Sequence, residues 1–357
     1  MQQDTKPNLL FVSITDQANG AENILLQAAR ASNANLLFLK KVDNGGLNVP
    51  GDLQAEYVST GSVLSGFLRL IKNLRPYRAD YIIFSTHPYL NAYLGFLKRI
   101  GYLKSKLIVR ECSSVLTRYK GLKRWSYKVA YLFGYPGVNL VVCQTGSMRD
   151  SFLQHLPYID KQKVIIQKNP IDIEENLIKG KAALPAADIN TEFICAAGRL
   201  IPEKGFDILI TAFNEIKAER PNLHLFILGE GPEQASLEKL ITELKLTDRV
   251  ILKGWTANPM PYFKHAKACV VSSIKEGFPN VLLQMMILNP IVISTNCAGG
   301  IDEIPGIYLA EADNINSLTT AINLALSTKR NHKDLVMQYV QDRTPEIFIK
   351  SILNALV

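Results

Sequence analysis

The 357-residue chain lacks any apolar run of the roughly 18 residues that a membrane-spanning helix needs. Its five cysteines, at 112, 143, 195, 269 and 297, form no CxxC pair and have no metal-site spacing with a histidine. That pattern speaks against a disulfide framework and a structural zinc site, and for reduced thiols in a cytosol. No strand carries a complete GxGxxG, which argues against a dinucleotide dehydrogenase. No Asp-x-Asp motif closes a strand, so no acidic metal anchor is expected. The start, MQQDTKPNLLFVSIT, lacks the basic lead, long apolar centre and small-residue cleavage site of a signal peptide. A cytoplasmic protein is the expectation.

What is present is distributed unevenly. The net charge is +8, from 40 Lys+Arg and 32 Asp+Glu. Residues 1–172 hold 22 basic and 11 acidic side chains, and residues 173–357 hold 18 and 21. Between residues 98 and 140 ten bases face one acid, Glu111. A solvated basic surface accounts for this; an anionic partner for the first half accounts for it more specifically.

The length favours two domains. Short β-rich runs alternate with helical stretches throughout. Strands are expected at 8–15, 35–39, 81–85, 106–110, 140–144 and 163–167, and helices at 21–31, 63–73 and 90–100. Residues 173–190 lose the apolar pattern and read as a linker. The theme then repeats. Strands are expected at 192–197, 224–229, 250–253, 268–272, 291–294 and 307–309, and helices at 205–220, 232–244, 260–265, 281–288 and 315–327. Alternation of this kind means parallel sheets covered by helices. The predicted class is α/β: an N-terminal Rossmann-like domain over 1–172, a second over 173–340, and a helix within 341–357 packing back toward the first. Ligands of such sheets sit beyond the carboxyl ends of the strands, so the two sheets are expected to face each other across a cleft.

Three strand-end segments carry chemistry. In CAAGRLIPEKG, residues 195–205, Gly198 ends a strand, and Arg199 and Lys204 follow before a helix. A bidentate guanidinium and a point-charge ammonium suit a diphosphate, although a plain surface turn has the same pattern. LGEGP, residues 228–232, is a second turn, with Gly229 at its start. In KEGFPNVLLQ, residues 275–284, Glu276 stands at a strand end. Gly277, Phe278 and Pro279 expose backbone at a helix start, Asn280 is placed to cap that helix, and Gln284 follows two turns after Glu276. A carboxylate, backbone donors and a polar side chain suit a polyhydroxylated ligand on a phosphate anchor.

Together GRL-x2-EKG, LGEGP-x4-LE and SS-x2-EGFPNVLLQ-x5-PIVISTNCAGGIDEI resemble the retaining glycosyltransferases of family 4, across roughly residues 193–304. NGAE at 19–22 is similar to that family's Gly-rich loop, and KNPID at 168–172 to its NP turn. The resemblance implies the GT-B fold and transfer of a sugar from a nucleotide sugar, a UDP-sugar by expectation, with retention and without metal or other cofactor. Arg199 and Lys204 would bind and neutralise the diphosphate, and Glu276 would bind donor-sugar hydroxyls. Gly277, Phe278 and Pro279 would support the sugar, and Gly20, Gly198 and Gly229 would approach the phosphates. The family pattern has a glutamate on the ribose where this chain has Gln284, which gives up a charge-assisted bond.

The acceptor side is expected in the first domain. Where the family has a strand-end histidine, LIVRECSS offers Glu111 and Cys112, with Glu111 next to Arg110 as a local partner; His87, in STHPY, is a further candidate. Residues 118–135 interleave bases with aromatics, and Lys123, Arg124, Trp125 and Lys128 suit an anionic membrane surface. No RNA-binding pattern accompanies them, so nucleic acid is not an expected partner. The expected acceptor is then a lipid-linked saccharide or a growing polysaccharide, on the cytoplasmic face of the plasma membrane. The alternatives are an epimerase or phosphorylase of the same fold, and a non-catalytic membrane-associated relative.

Overall fold

In the computed structural model, which describes residues 7–43, 45–112, 114–328 and 333–356, the chain divides into two units. The first comprises residues up to Pro170 together with Pro345 onward, and the second Ile171–Thr344.

The apolar run after Pro7 forms β1 (Asn8–Thr15), followed by α1 (Gly20–Ser32), β2 (Asn35–Lys40), β3 (Ala55–Ser59), α2 (Val63–Asn73), β4 (Tyr81–Ser85) and α3 (Pro88–Arg99). Then come β5 (Lys106–Glu111), α4 (Val115–Arg118), α5 (Gly121–Gly134), β6 (Leu140–Cys143), α6 (Gly146–His155) and β7 (Val164–Ile166). All pairings are parallel, in the order β3-β2-β1-β4-β5-β6-β7. Alternation along β1 sends Leu9 and Phe11 to one face and Leu10 and Val12 to the other, and both faces are buried, as a parallel sheet requires. Leu10 and Val12 pack under the layer formed by α2, α3, α5 and α6. Leu9 and Phe11 pack under Ile24 and Leu25 of α1.

The second unit runs α7 (Ile173–Lys179), β8 (Glu192–Ala197), α8 (Phe206–Ile216), β9 (Leu223–Leu228), α9 (Gln234–Glu243), β10 (Val250–Gly254), α10 (Met260–His265), β11 (Ala268–Val271), α11 (Asn280–Leu288), β12 (Val292–Thr295), β13 (Tyr308–Ala310), α12 (Ile315–Ser327) and α13 (Lys333–Gln341). Its sheet is also all parallel, ordered β10-β9-β8-β11-β12-β13. Ile194 and Ala196 face α8 and α12, whereas Phe193 and Cys195 face α10 and α11. The last helix, α14 (Pro345–Asn354), belongs to the first unit, where Phe348, Ile349 and Ile352 join the core beside α1.

The segment 173–190 is not the plain linker that its weak pattern suggests. Asp172 caps α7, its carboxylate accepting from the Glu175 N–H at 2.8 Å, and Ile173 packs on the second unit's core. Strand order reverses between β1 and β4 in the first sheet, and between β8 and β11 in the second. Ligands of open α/β sheets collect beyond the strand ends at such reversals. The loops after β8 and β11 are the ones that carry Lys204 and Glu276.

Candidate active site

The loop after β8 is fixed first by its backbone. The Gly198 N–H donates to Leu228 O and the Leu200 N–H to Glu230 O, each at 2.9 Å. This lays the β8 loop on the β9 loop. At Gly229 φ is +136°, and an added Cβ would meet the Gly198 carbonyl oxygen, so only glycine permits that approach. Gly205, at φ +58°, would drive a Cβ into the carbonyl oxygen of Ser272. The β8 loop is thereby held against the β11 loop as well. The Ser272 hydroxyl donates to Lys204 O at 2.9 Å, and the Ile274 N–H to Glu203 O at 2.8 Å.

These contacts deliver Lys204 to Glu276. The Lys204 Nζ donates to Glu276 Oε1 at 2.7 Å, and the Ser273 hydroxyl donates to the same oxygen at 2.6 Å. The lysine and glutamate side chains are only 19% and 16% exposed. Glu276 is also tied through its backbone, its N–H donating to Cys297 O at 2.9 Å. Ser273 is tied in turn, because Thr295 Oγ1 donates to Ser273 O at 2.5 Å. A largely desolvated ion pair with a third bond is a stiff arrangement, and its two charges screen each other.

Arg199 lies exposed on the same loop as Lys204, and Gly198 and Gly277 are half-buried. Phe278 is half-buried with the Arg343 guanidinium 5.7 Å from its ring centre, and Pro279 is buried. Asn280 is not the cap. It is the first residue of α11, and Pro279 holds the cap position at φ −77°, ψ 100°. The ring of proline fixes the extended approach, and no side chain caps this helix. Gln284 lies half-buried one turn into α11. Ser273 and Thr295 are the site residues that sequence reasoning missed. Ser273 stands in the quoted SS-x2-EG pattern, but the pattern alone gives its hydroxyl no role.

In the first unit Gly20 is exposed at the start of α1, after Asn19 in the cap position. Glu22, in the first turn of α1, accepts from the Ser13 hydroxyl at 3.2 Å, and burial pushes its carboxyl up. Glu111 does not pair with Arg110. It is buried beneath α5 and accepts from Tyr131 at 2.8 Å and from the Tyr135 hydroxyl, and desolvation raises its carboxyl above the usual range. Arg110, wholly buried, donates through Nη1 to Cys112 Sγ at 3.0 Å and through Nη2 to Asn169 Oδ1 at 2.5 Å. Burial pushes the Cys112 thiol up to about 11, so it is no thiolate at neutral pH. His87 caps the α3 start by position, and burial lowers its imidazole to about 4. Its Nδ1 and the neighbouring Thr86 Oγ1 are buried without a hydrogen-bond partner. The structure therefore gathers His87, Glu111 and Cys112 at the ends of adjacent strands β4 and β5 in one unit, and Lys204 and Glu276 in the other.

On α5, Lys123, Trp125 and Lys128 are exposed, and Arg124 is half-buried. All five cysteines are free thiols. Among the described residues no cluster of three His, Cys, Asp or Glu side chains is placed to hold a metal ion. Among them, too, no helix is long and apolar enough to cross a membrane.

Residues 185–339 match the family described as "Glycosyl transferases group 1". Over 247 residues the chain is 30% identical to an N-acetylgalactosamine-N,N'-diacetylbacillosaminyl-diphospho-undecaprenol 4-alpha-N-acetylgalactosaminyltransferase of Campylobacter jejuni, covering 68% of this chain and 66% of that one. It is 31% identical over 156 residues to the lipopolysaccharide core biosynthesis glycosyltransferase LpsD of Rhizobium meliloti, covering 42% and 41%. The chain thus spans just under two thirds of the first relative and less of the second. Among solved structures, Anabaena HepE in complex with UDP superposes with a TM-score of 0.80 at 17% identity, over 98% of this chain and 99% of that one. That likeness gives the two-unit Rossmann-like fold. With the loop motifs of the second unit and the C. jejuni relative, the family match shows that residues 185–339 form a group 1 glycosyltransferase domain.

Proposed function

We propose that the protein transfers a sugar from a UDP-sugar to a lipid-linked saccharide or a growing polysaccharide, with retention of configuration and without a metal ion. The observation that carries this reading is the Lys204–Glu276–Ser273 arrangement at the ends of β8 and β11. A leaving nucleoside diphosphate needs cationic neutralisation, and a sugar needs a fixed acceptor for its hydroxyls. One ammonium and one carboxylate, held side by side, supply both.

On this reading Lys204 and Arg199 stabilise the charge that develops on the diphosphate. Glu276 turns from Lys204 toward the sugar hydroxyls. The uncapped start of α11 adds backbone N–H groups and the positive end of its dipole. No protein nucleophile is assigned. The departing diphosphate accepts the proton of the attacking hydroxyl, and the protein contributes positioning. A neutral His87 is the first unit's candidate for the acceptor, with Glu111 and Cys112 behind it as supports rather than reacting groups. The UDP held by Anabaena HepE and the diphospho-undecaprenol in the name of the C. jejuni relative support the choice of donor and acceptor class. The basic side chains of α5 support an address on the inner face of the plasma membrane.

The test is calorimetric binding of UDP, GDP and ADP in the presence of EDTA, followed by transfer from labelled UDP-sugars. Selective UDP binding that weakens in Lys204→Ala supports the proposal. A folded protein that binds no nucleotide refutes it. That outcome favours the second reading, a non-catalytic relative, for which Gln284 in the ribose position is the specific observation.

A further inference from the structure

The largest exposed apolar side chains of the first unit are not scattered. On α2, Leu64 and Leu68 are 72% and 74% exposed, and Ile71 follows on the same stripe. The spacing, four and then three residues, is that of one helical face. It is separate from the inward stripe of α2, which buries Gly66 and Leu70. A helix that has filled its core-facing stripe gains nothing within the fold from a second one.

The stripe continues onto the neighbouring helices. The Tyr93 hydroxyl of α3 donates to Phe67 O at 3.2 Å, and the Tyr102 hydroxyl donates to Ile71 O at 2.5 Å. These bonds set α3 beside α2. On α3's outer side Phe96 is exposed, and Ile100 just beyond its end is too. Next to α3 lies α5, where the Arg99 Nη1 donates to Phe133 O at 3.3 Å. Gly134 approaches the Ala92 backbone so closely that a Cβ would collide with it. Phe133 and Leu132 are exposed there, as is Leu122 at 86% near the other end of α5. The three helices share one layer over the same sheet face, so their outer sides form one surface.

The charges on this surface have one sign. No Asp or Glu occurs in α2, α3 or α5, whereas Arg69, Lys72, Arg99, Lys123 and Lys128 are exposed on them. A face that is both cationic and apolar repels a second copy of itself across a symmetric contact. It complements a surface that is anionic outside and apolar beneath. We propose that the outer face of α2, α3 and α5 is a docking surface for an anionic lipid bilayer, with Leu64, Leu68 and Phe96 entering the headgroup boundary and the flanking bases holding the phosphates. This deepens the membrane address proposed above and rests on it. It moves the inserting part of the contact from α5, which the sequence points to, onto α2 and α3, whose apolar stripe is legible only once the core-facing positions are known.

The experiment is flotation of the full chain with phosphatidylglycerol/phosphatidylcholine vesicles and with pure phosphatidylcholine vesicles, at low and high salt. The wild type is expected to float only with the anionic vesicles, and less at high salt. Leu64→Gln/Leu68→Gln is expected to lower the partition coefficient by about tenfold or more, since each leucine withdraws its own burial term. Both side chains are exposed, so the double variant should keep its unfolding midpoint. It should also keep UDP binding, which reads the donor site independently of the membrane. A wild type that floats with neither vesicle overturns the inference. So does a double variant that floats like the wild type while Lys123→Ser/Lys128→Ser does not, because the contact is then α5 alone. Displacement of vesicle-bound protein by polyglutamate but not by salt assigns the face to an acidic protein instead. Loss of UDP binding in the wild type overturns the donor reading and leaves the docking surface standing.

Discussion

The two units place their polar groups differently beneath the same kind of sheet. In the second, Lys204, Ser273 and Glu276 meet on loops that glycines allow to touch, and the pair stays partly open to solvent. In the first, Glu111 and Arg110 are buried and Cys112 half-buried at the strand ends under helices, where desolvation raises the Glu111 carboxyl and the Cys112 thiol. On the proposed function, one arrangement exchanges partners with a ligand. The other fixes a shape. The family match, 185–339, lies wholly within the second unit. Loop contacts that only glycine permits leave short readable motifs, whereas a buried cluster such as Glu111–Tyr131–Tyr135 is assembled across long separations.

The sharpest way to break this comparison is Lys204→Ala. If the second unit's pair is the donor anchor, turnover should fall by about 10²–10³-fold, and UDP affinity with it, as for other lost transition-state donors. Full activity in this variant would reduce the ion pair to a loop clamp.

His87 tests the first unit. Its folded imidazole, at about 4, lies below the ordinary 6.5. The fold therefore favours the neutral ring, and that contribution is present above pH 6.5 and lost as pH falls toward 4. The full loss amounts to about 3 kcal/mol for a shift of that size. Urea unfolding between pH 7 and 4 should show that slope, and His87→Asn should flatten it. An unchanged slope would mean the ring is not desolvated as placed.

Glu276→Gln separates the two jobs of the pair. Sugar transfer should drop by about tenfold or more. Free UDP should bind equally well or more tightly, because Lys204 no longer has a resident counter-charge. Parallel losses in both would tie Glu276 to the nucleotide instead. Gln284→Glu carries the smallest expected effect, a gain in UDP affinity worth about 1 kcal/mol from a restored charge-assisted bond. A clear loss would place the ribose elsewhere. Treatment with EDTA should change neither binding nor turnover.

Much of the architecture was legible because burial on both sheet faces writes long apolar runs. Asn8–Thr15, Val63–Asn73, Tyr81–Ser85, Glu192–Ala197, Met260–His265 and Ile315–Ser327 keep their expected bounds. What was not legible has physical causes. β3 is a five-residue edge strand, AEYVS, whose burial is uneven. The stripe of α6 is diluted by Ser147, Arg149, Asp150 and Ser151, and α7 is held by a cap rather than by a wide apolar face. The motif residues Gly198, Lys204, Gly205, Gly229 and Glu276 were readable as a pattern. The bonds that aim them were not, because Ser273 and Thr295 reach their partners through the fold, and proline took the cap position that Asn280 was expected to fill.

The position of α14 has a consequence for the order in which this protein is made. The first unit takes its seven strands from residues before Pro170, yet Phe348, Ile349 and Ile352 complete its core beside α1. The second unit, Ile171–Thr344, has all its residues before those three exist. During synthesis the domain started first is therefore finished last. Until then the apolar side of α1 waits, partly uncovered, on a nascent chain whose later half can already be folded.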